Sequence, residues 1–460
     1  MLQRIRTVYS DDGMAARAIR STGFTVLKLG GQNFLRLTSN LVLTRLLFPE
    51  AFGIMAIVQV VLSGVAMFSD FGIKGSIVQD ERGDNPDFLN TAWTFQVVRG
   101  FILGSIVVLG AGPIAEFYET PILAELLLVT AMVPVVQGFA STRLATSSRK
   151  LFIGRMVGLH LGAQFAGILV MIALAWWLES VWALVIGSLV APFLVTTLSH
   201  VVIPGIRNRL LIDRDALKRL FGFGKYIFLA TIAGFFVGQG DKAILGKFTT
   251  LSDLAIYNIA FFLASVPVLL ANALNQAVIF PLYARRPPSA SEANRRKINR
   301  ARFLITGALI GALCCLAVIG DWLVRALYDA RYYGAGPLMI LIALAALPRV
   351  VVSSYSSLPL AAGDSGRYAG ILTVGAVLQL GFIYLGAQTY GVVGVILAPV
   401  LAAVLFYPVM VLAVRRYQGW DPLHDTFYCV LVVAAGGTIF YLHRDLLFAT
   451  LATAGIGVTA

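Results

Sequence analysis

Charge is scarce in this 460-residue chain: Asp, Glu, Lys and Arg together make up 13% of it, about half the share usual in soluble domains. Such a composition excludes an ordinary solvated globule. Cysteine is rarer still, at Cys314, Cys315 and Cys429, all within apolar runs. The three lack metal-ligand spacing and form no disulfide framework. The four histidines are scattered, so neither a metal site nor a cofactor is expected. No catalytic carboxylate pair or nucleophile set stands out, which argues against an enzyme. Gly238-x-Gly240 has no following lysine-serine pattern, so it is not a nucleotide loop and ATP-driven transport within the chain is not expected. The net charge of +13 sits in short loops without any DNA or RNA motif, which argues against a nucleic-acid partner. The first twenty residues carry Arg4, Arg6, Asp11, Asp12, Arg17 and Arg20 but no apolar core of a cleavable signal. They read as a cytoplasmic segment lying on the membrane surface.

Apolar residues are abundant instead, at 58%, with a mean hydropathy of +0.83. They come in runs of about 20 residues, the length that crosses hydrocarbon as a helix. The runs predict an all-α integral membrane fold with spans at 24–47, 51–78, 88–111, 121–142, 153–177, 181–204, 221–247, 253–283, 301–323, 336–361, 367–389 and 392–414. Two further runs, 426–442 and 446–460, give 12–14 transmembrane helices in all, the last one marginal in length. Lys and Arg concentrate in alternate loops, as at Arg143–Arg155, Arg207–Arg219, Arg285–Arg300 and Arg415–Arg416. By the positive-inside rule both termini then face the cytoplasm, with Arg325, Arg331 and Arg444 as mild exceptions.

The halves repeat. A slide of 202 residues lays Thr44–Ala56 on Gly246–Asn258 without gaps, with Arg45 on Lys247 and Phe52 on Leu254. Both copies follow a span running outward, so the repeat is parallel. Two six-helix lobes are expected, at 21–204 and 221–415, joined by a cytoplasmic linker at 205–220 and followed by about two C-terminal membrane helices at 416–460. Duplications of this kind place a substrate pathway between two bundles that can rock around it.

Polar residues inside the spans are the candidates for a site. Lys28, Gln32, Arg36 and Asn40 recur every four residues in the first span and therefore share one helix face. A charge near the bilayer centre costs on the order of 2.5–3.5 kcal/mol on insertion scales. Two cations on one face need a wet cavity, a partner or an anionic ligand. Arg offers a planar fork for phosphate oxygens and Lys a point charge. The competing reading pairs them with acids such as Asp70 or Asp241 as structural bridges. Asp70 and Lys74 lie one turn apart and can neutralise each other. Arg99 either faces a cavity or pairs with Asp70. Asp241 and Lys242 sit mid-span near Gln239, and adjacent residues cannot both face one groove. Asn272, Asn275 and Gln276 form a polar stripe suited to sugar contacts or to interhelix hydrogen bonds. Arg349 is an interior cation followed by the hydroxyl patch Ser353–Ser357. His160, near Gln164, reads as a satisfied core group, and Arg45 and Lys247 as snorkelling cations.

Three stretches carry a family resemblance: Leu43–Ala56 (LTRLLFPEAFGIMA), Phe68–Gln79 (FSDFGIKGSIVQ) and Gly238–Phe248 (GQGDKAILGKF). They resemble the polysaccharide transporter family of Wzx-type oligosaccharide flippases, within the multidrug/oligosaccharidyl-lipid/polysaccharide exporter superfamily. The resemblance implies twelve core helices in two lobes. It also implies movement of a polyprenyl-diphosphate-linked oligosaccharide across the bacterial inner membrane, for capsule, exopolysaccharide or O-antigen synthesis. Implied partners are that lipid-linked glycan, membrane lipids, and a polymerase with its export machinery. The alternative within the superfamily is an ion-coupled multidrug or small-solute antiporter. That reading calls for interior acids, whereas the candidate residues here are net cationic.

Overall fold

The computed structural model describes residues 14–69 and 72–456, so Asp70 and the 1–13 segment lie outside the described residues. The described residues are helical, without strands. Among the described residues eight helical stretches are long and apolar enough to cross a membrane, or ten if two sharply bent pairs are each one span. The chain is a multi-pass, all-α membrane protein. It divides into two compact units, Met1–Thr231 and Ile232–Ala460.

The first unit begins with α1 (Met14–Leu46), α2 (Pro49–Met67) and α3 (Ile73–Gln79). The expected continuous second span is therefore interrupted. A turn follows Met67, and Gly72 takes a left-handed φ of 62° at the start of α3, a conformation open to glycine without a Cβ penalty. Next come α4 (Pro86–Phe117), a bent stretch made of α5 (Ile122–Thr130), α6 (Met132–Gly138) and α7 (Arg143–Arg149), then α8 (Ile153–Leu178) and α9 (Val181–Val201). The helices α8 and α9 pack along each other, and α1 packs on α8.

Polar side chains in this unit tie down irregular backbone. The segment after α9 runs along α4, where Asn90 Oδ1, Thr94 Oγ1 and Thr91 Oγ1 accept the backbone N–H groups of Arg209, Leu211 and Asp213 at 3.0, 2.9 and 2.9 Å. Buried Arg143 donates to the carbonyls of His200, Ile203 and Ile206, closing the end of α9. Asp84 accepts from Arg149 at 3.1 Å and pairs with Lys150 at 3.1 Å. The Lys150 hydrogen bond, with Arg149 adding its charge, holds the Asp84 carboxyl below the usual carboxylate range.

The helix α10 (Arg214–Phe248) contains the boundary between the units. It is followed by α11 (Leu251–Ala264) and α12 (Val266–Leu274), bent by 44° at Ser265, a π-helical turn Asn275–Ile279 and α13 (Phe280–Arg285). The helix ends reproduce the internal repeat: Leu46 and Phe248 close α1 and α10, and Pro49 and Leu251 open α2 and α11, each pair 202 residues apart. The devices differ. Pro49 supplies a preset φ at the first turn of α2, whereas Thr250 Oγ1 accepts the Asp253 N–H at 3.1 Å.

The second unit continues with α14 (Glu292–Leu327) and α15 (Ala335–Ser353), which ends where the hydroxyl patch begins. The short α16 (Leu358–Ala361), the long α17 (Ser365–Arg415), α18 (Pro422–Leu442) and α19 (Arg444–Ile456) complete it. A break at Gly391 (φ 56°, ψ −134°) splits α17 into two legs, at the boundary the hydropathy places between spans eleven and twelve. Beside it the Gly386 and Gly394 backbones nearly touch, so that a Cβ on Gly394 would collide with the Gly386 carbonyl oxygen. Helix α15 is the hub, packing on α11, α12, α14, α17 and α18.

Candidate functional site

In the first unit, the polar face of α1 meets α8. Lys28, Gln32 and Asn40 are half-buried and Arg36 is exposed. Gln164 on α8 donates Nε2 to the Gln32 carbonyl at 3.1 Å, and His160 Nδ1 contacts the Met156 carbonyl at 2.7 Å. The positive charges of Lys28 and Lys74 act on each other and on His160. Among the described residues no carboxylate pairs with Lys28. This end of the first unit therefore concentrates like charge. Arg99 and Gln96, one turn before it, close helix ends instead. Arg99 donates to the Ala66 carbonyl at 2.8 Å and to Ser69 Oγ at 2.9 and 3.1 Å, closing α2. Gln96 donates to the carbonyls of Gln137, Gly138 and Ala140, closing α6.

The second unit brings the remaining candidates together. A cavity of about 610 Å³ is lined by Asn272, Asn275 and Gln276, by Arg349 and Ser353 from α15, and by Ser356 and Ser357. The polar stripe and the cation with its hydroxyl patch, read as separate features of the sequence, are one wall-and-floor arrangement. Tyr368 and Gln379 from α17 add polar groups that the sequence reading did not single out. Phe280, Leu372, Phe406 and Met410 supply apolar wall. A π-helical turn at Asn275–Ile279 shifts the side-chain register at this wall, and such turns recur at functional sites. Asn275 is buried with its Oδ1 unpartnered, and its Nδ2 stands 3.5 Å from Ser353 Oγ.

Arg349 follows Pro348 within α15 and has surface open to the cavity. Its nearest acidic influence is Asp241 on α10, close enough to act coulombically without forming an ion pair. Asp241 is buried; its Oδ2 accepts Tyr257 Oη at 2.5 Å, and its Oδ1 has no hydrogen-bond partner. Lys242, one residue on, points elsewhere and lies over the Phe261 ring at 4.8 Å.

Behind the Ser353–Ser357 wall lies a fully buried ionic cluster that the sequence reading missed. Arg302 from α14 donates to Ser354 Oγ at 3.0 Å and to the Gly419 carbonyl at 3.2 Å, and stacks 3.7 Å from the Tyr355 ring centroid. Its charge faces Asp425 of α18 at 3.8 Å. Asp425 accepts Tyr355 Oη at 2.9 Å and Tyr407 Oη at 2.8 Å, with His424 Nδ1 at 2.9 Å. The partners come from distant parts of the chain, and no local spacing announces them.

Residues 42–337 match the family described as polysaccharide biosynthesis protein. The lipopolysaccharide biosynthesis protein WzxC of Escherichia coli (strain K12) is 23% identical over 433 residues, covering 90% of this chain and 86% of that protein. The teichuronic acid biosynthesis protein TuaB of Bacillus subtilis (strain 168) is 20% identical over 343 residues, covering 71% and 69%. The structure of the lipid II flippase MurJ in its inward closed conformation aligns with a TM-score of 0.65 at 13% identity, over 92% of this chain and 99% of that one. That likeness establishes a shared fold with a membrane flippase. With about two thirds of its length matched to the family, and with the Leu43–Ala56 and Gly238–Phe248 motifs inside that match, the chain belongs to the polysaccharide biosynthesis protein family of membrane transporters.

Proposed function

We propose that this chain moves a polyprenyl-diphosphate-linked oligosaccharide across the bacterial cytoplasmic membrane by alternating access, supplying extracellular or surface polysaccharide synthesis. The observation that carries the reading is the cavity of the second unit, where one cation, four amides and several hydroxyls converge within a membrane-embedded helical bundle. A glycan presents many hydroxyls that amides and serines can match in both donor and acceptor roles. A diphosphate presents the oxygens that a guanidinium fork binds. Lys28 on the polar face of α1 and Lys74 on α3 add positive field in the first unit, and Gln32, Arg36 and Asn40 extend the α1 face. The cationic balance of these residues favours an anionic guest over a cationic drug. Both termini are cytoplasmic in this reading, the polymerase and export machinery act downstream, and no cofactor is needed.

The test is a leaflet assay. Purified protein in proteoliposomes should translocate a fluorescent lipid-diphosphate oligosaccharide. A cationic dye offered with an imposed proton or sodium gradient should not be exported. Dye export without glycolipid movement would instead support the antiporter reading.

A further inference from the structure

The stretch between α15 and α16 has two faces. Ser353, Ser356 and Ser357 line the cavity, whereas Ser354 and Tyr355 turn away from it and are buried. Apolar residues including Ile279, Leu358 and Met410 pack with Tyr355, and the polar contacts of the buried face come from the ionic cluster and its neighbours. Arg302 reaches Ser354 Oγ and stacks on Tyr355, while the Tyr355 hydroxyl is shared between Asp425 and the Asp421 N–H. Tyr283 Oη donates to the Ser354 carbonyl at 3.2 Å. His424 Nε2 reaches Thr306 on α14 at 3.2 Å, and Trp420 Nε1 donates to the Tyr407 hydroxyl at 3.3 Å.

Stability alone does not account for this concentration of polar groups. Buried ion pairs are commonly replaced by well-packed apolar residues at little or no cost, while loss of one partner is severe. Fixed geometry is what such a cluster provides and an apolar cluster does not. The segment it fixes lies between two α-helices, where only turn bonds such as Tyr355 N–H to the Val352 carbonyl and Ser356 N–H to the Ser353 carbonyl hold the backbone, and it forms the hydroxyl wall of the cavity.

We propose that Asp425 and His424 of α18, acting with Arg302, are positioning residues that set the Ser353–Ser357 wall, so that the helix following the two-leg α17 controls how the cavity meets its ligand. This rests on reading the cavity as the glycolipid site. The helix α18 thus takes a working part in the cavity although none of its residues lines it.

The test uses the full chain with Cys314, Cys315 and Cys429 replaced by Ala and with Ser356→Cys as a reporter facing the cavity. Three forms are compared: the intact cluster, Tyr407→Phe, and the apolar double variant Arg302→Met/Asp425→Leu. For each, three quantities are measured: thermal stability, the rate at which a charged methanethiosulfonate labels the introduced thiol, and the affinity for a lipid-diphosphate oligosaccharide probe. The double variant should keep its melting temperature yet change its labelling rate severalfold and bind the probe about tenfold more weakly, the loss of roughly one hydrogen bond. Tyr407→Phe should shift labelling in the same direction by less, and it decides the matter if the double variant does not fold. A folded double variant with unchanged labelling and unchanged affinity would overturn the proposal. Probe affinity is also measured on the chain without the reporter; if that form binds no probe, the functional reading fails and labelling alone decides the positioning role.

Discussion

Replacing Arg349 with Met should abolish most of the affinity for a lipid-diphosphate oligosaccharide while leaving the fold intact. Arg349 is the cation that lines the second-unit cavity, and among the described residues no ion pair holds it. Its guanidinium is thus available to a ligand. A charge-assisted hydrogen bond contributes about 1.5–3 kcal/mol net, which is about 10- to 150-fold in dissociation constant. Arg349→Lys keeps the charge but loses the fork, and should fall between the two. Removing the cation also leaves Asp241, with its unpartnered Oδ1, less compensated. Arg349→Met alone should therefore lower thermal stability modestly, and adding Asp241→Asn should restore stability without restoring affinity. The assay is equilibrium binding of the labelled glycolipid to protein in lipid nanodiscs. Equal dissociation constants for wild type and Arg349→Met would refute the assignment of this cavity.

Other consequences follow from the same geometry. Lys28→Gln relieves repulsion from Lys74, so melting temperature should hold or rise while glycolipid transport falls; a parallel loss of both would mark Lys28 as structural. Arg99→Met removes the bonds to Ala66 and Ser69 and should cost about 1–3 kcal/mol of stability, with unchanged affinity in whatever fraction folds, read by binding at matched folded protein. Gly394→Val should fail to give a monodisperse protein by size-exclusion chromatography, because its side chain would meet the Gly386 backbone. The Asp84 carboxyl is held low mainly by its hydrogen bond to Lys150. A lowered carboxyl contributes stability that is fully present above its unfolded value, about 3.9, and is lost as pH falls through the folded value. Melting temperature should therefore be insensitive to this group from about pH 5 to 8 and drop below about pH 4, and Asp84→Asn should remove that part of the acid sensitivity.

Much of the fold was legible because apolar run length is a strong signal in a chain this poor in charge. The break at Gly391 and the repeat of helix ends at Leu46 and Phe248 sit where hydropathy and the 202-residue shift place them. The interruptions after Met67 and at Ser354–Ser357 were not legible, because the apolar runs cross them unbroken, whereas Pro267 in the first turn of α12 marks the bend at Ser265. Of the site, the Asn272–Gln276 stripe and the Arg349–Ser357 patch were visible as polar exceptions in apolar spans. Their convergence was not, since it depends on how α12 and α15 pack. Arg302 was hidden at the edge of a span, just after a basic run, and Asp425 and His424 just before a later one, where charges are common. Gln96 and Arg99 illustrate the opposite case, polar residues in a span that are consumed by carbonyls at helix ends.

The most direct measurement is the transbilayer movement of a purified, fluorescent polyprenyl-diphosphate oligosaccharide in proteoliposomes containing only this protein, followed by quenching from one leaflet. The fraction accessible to quencher should rise beyond half with wild-type protein and rise much more slowly with Arg349→Met. Movement indistinguishable from protein-free liposomes, with protein shown to be folded and inserted, would contradict the proposed function.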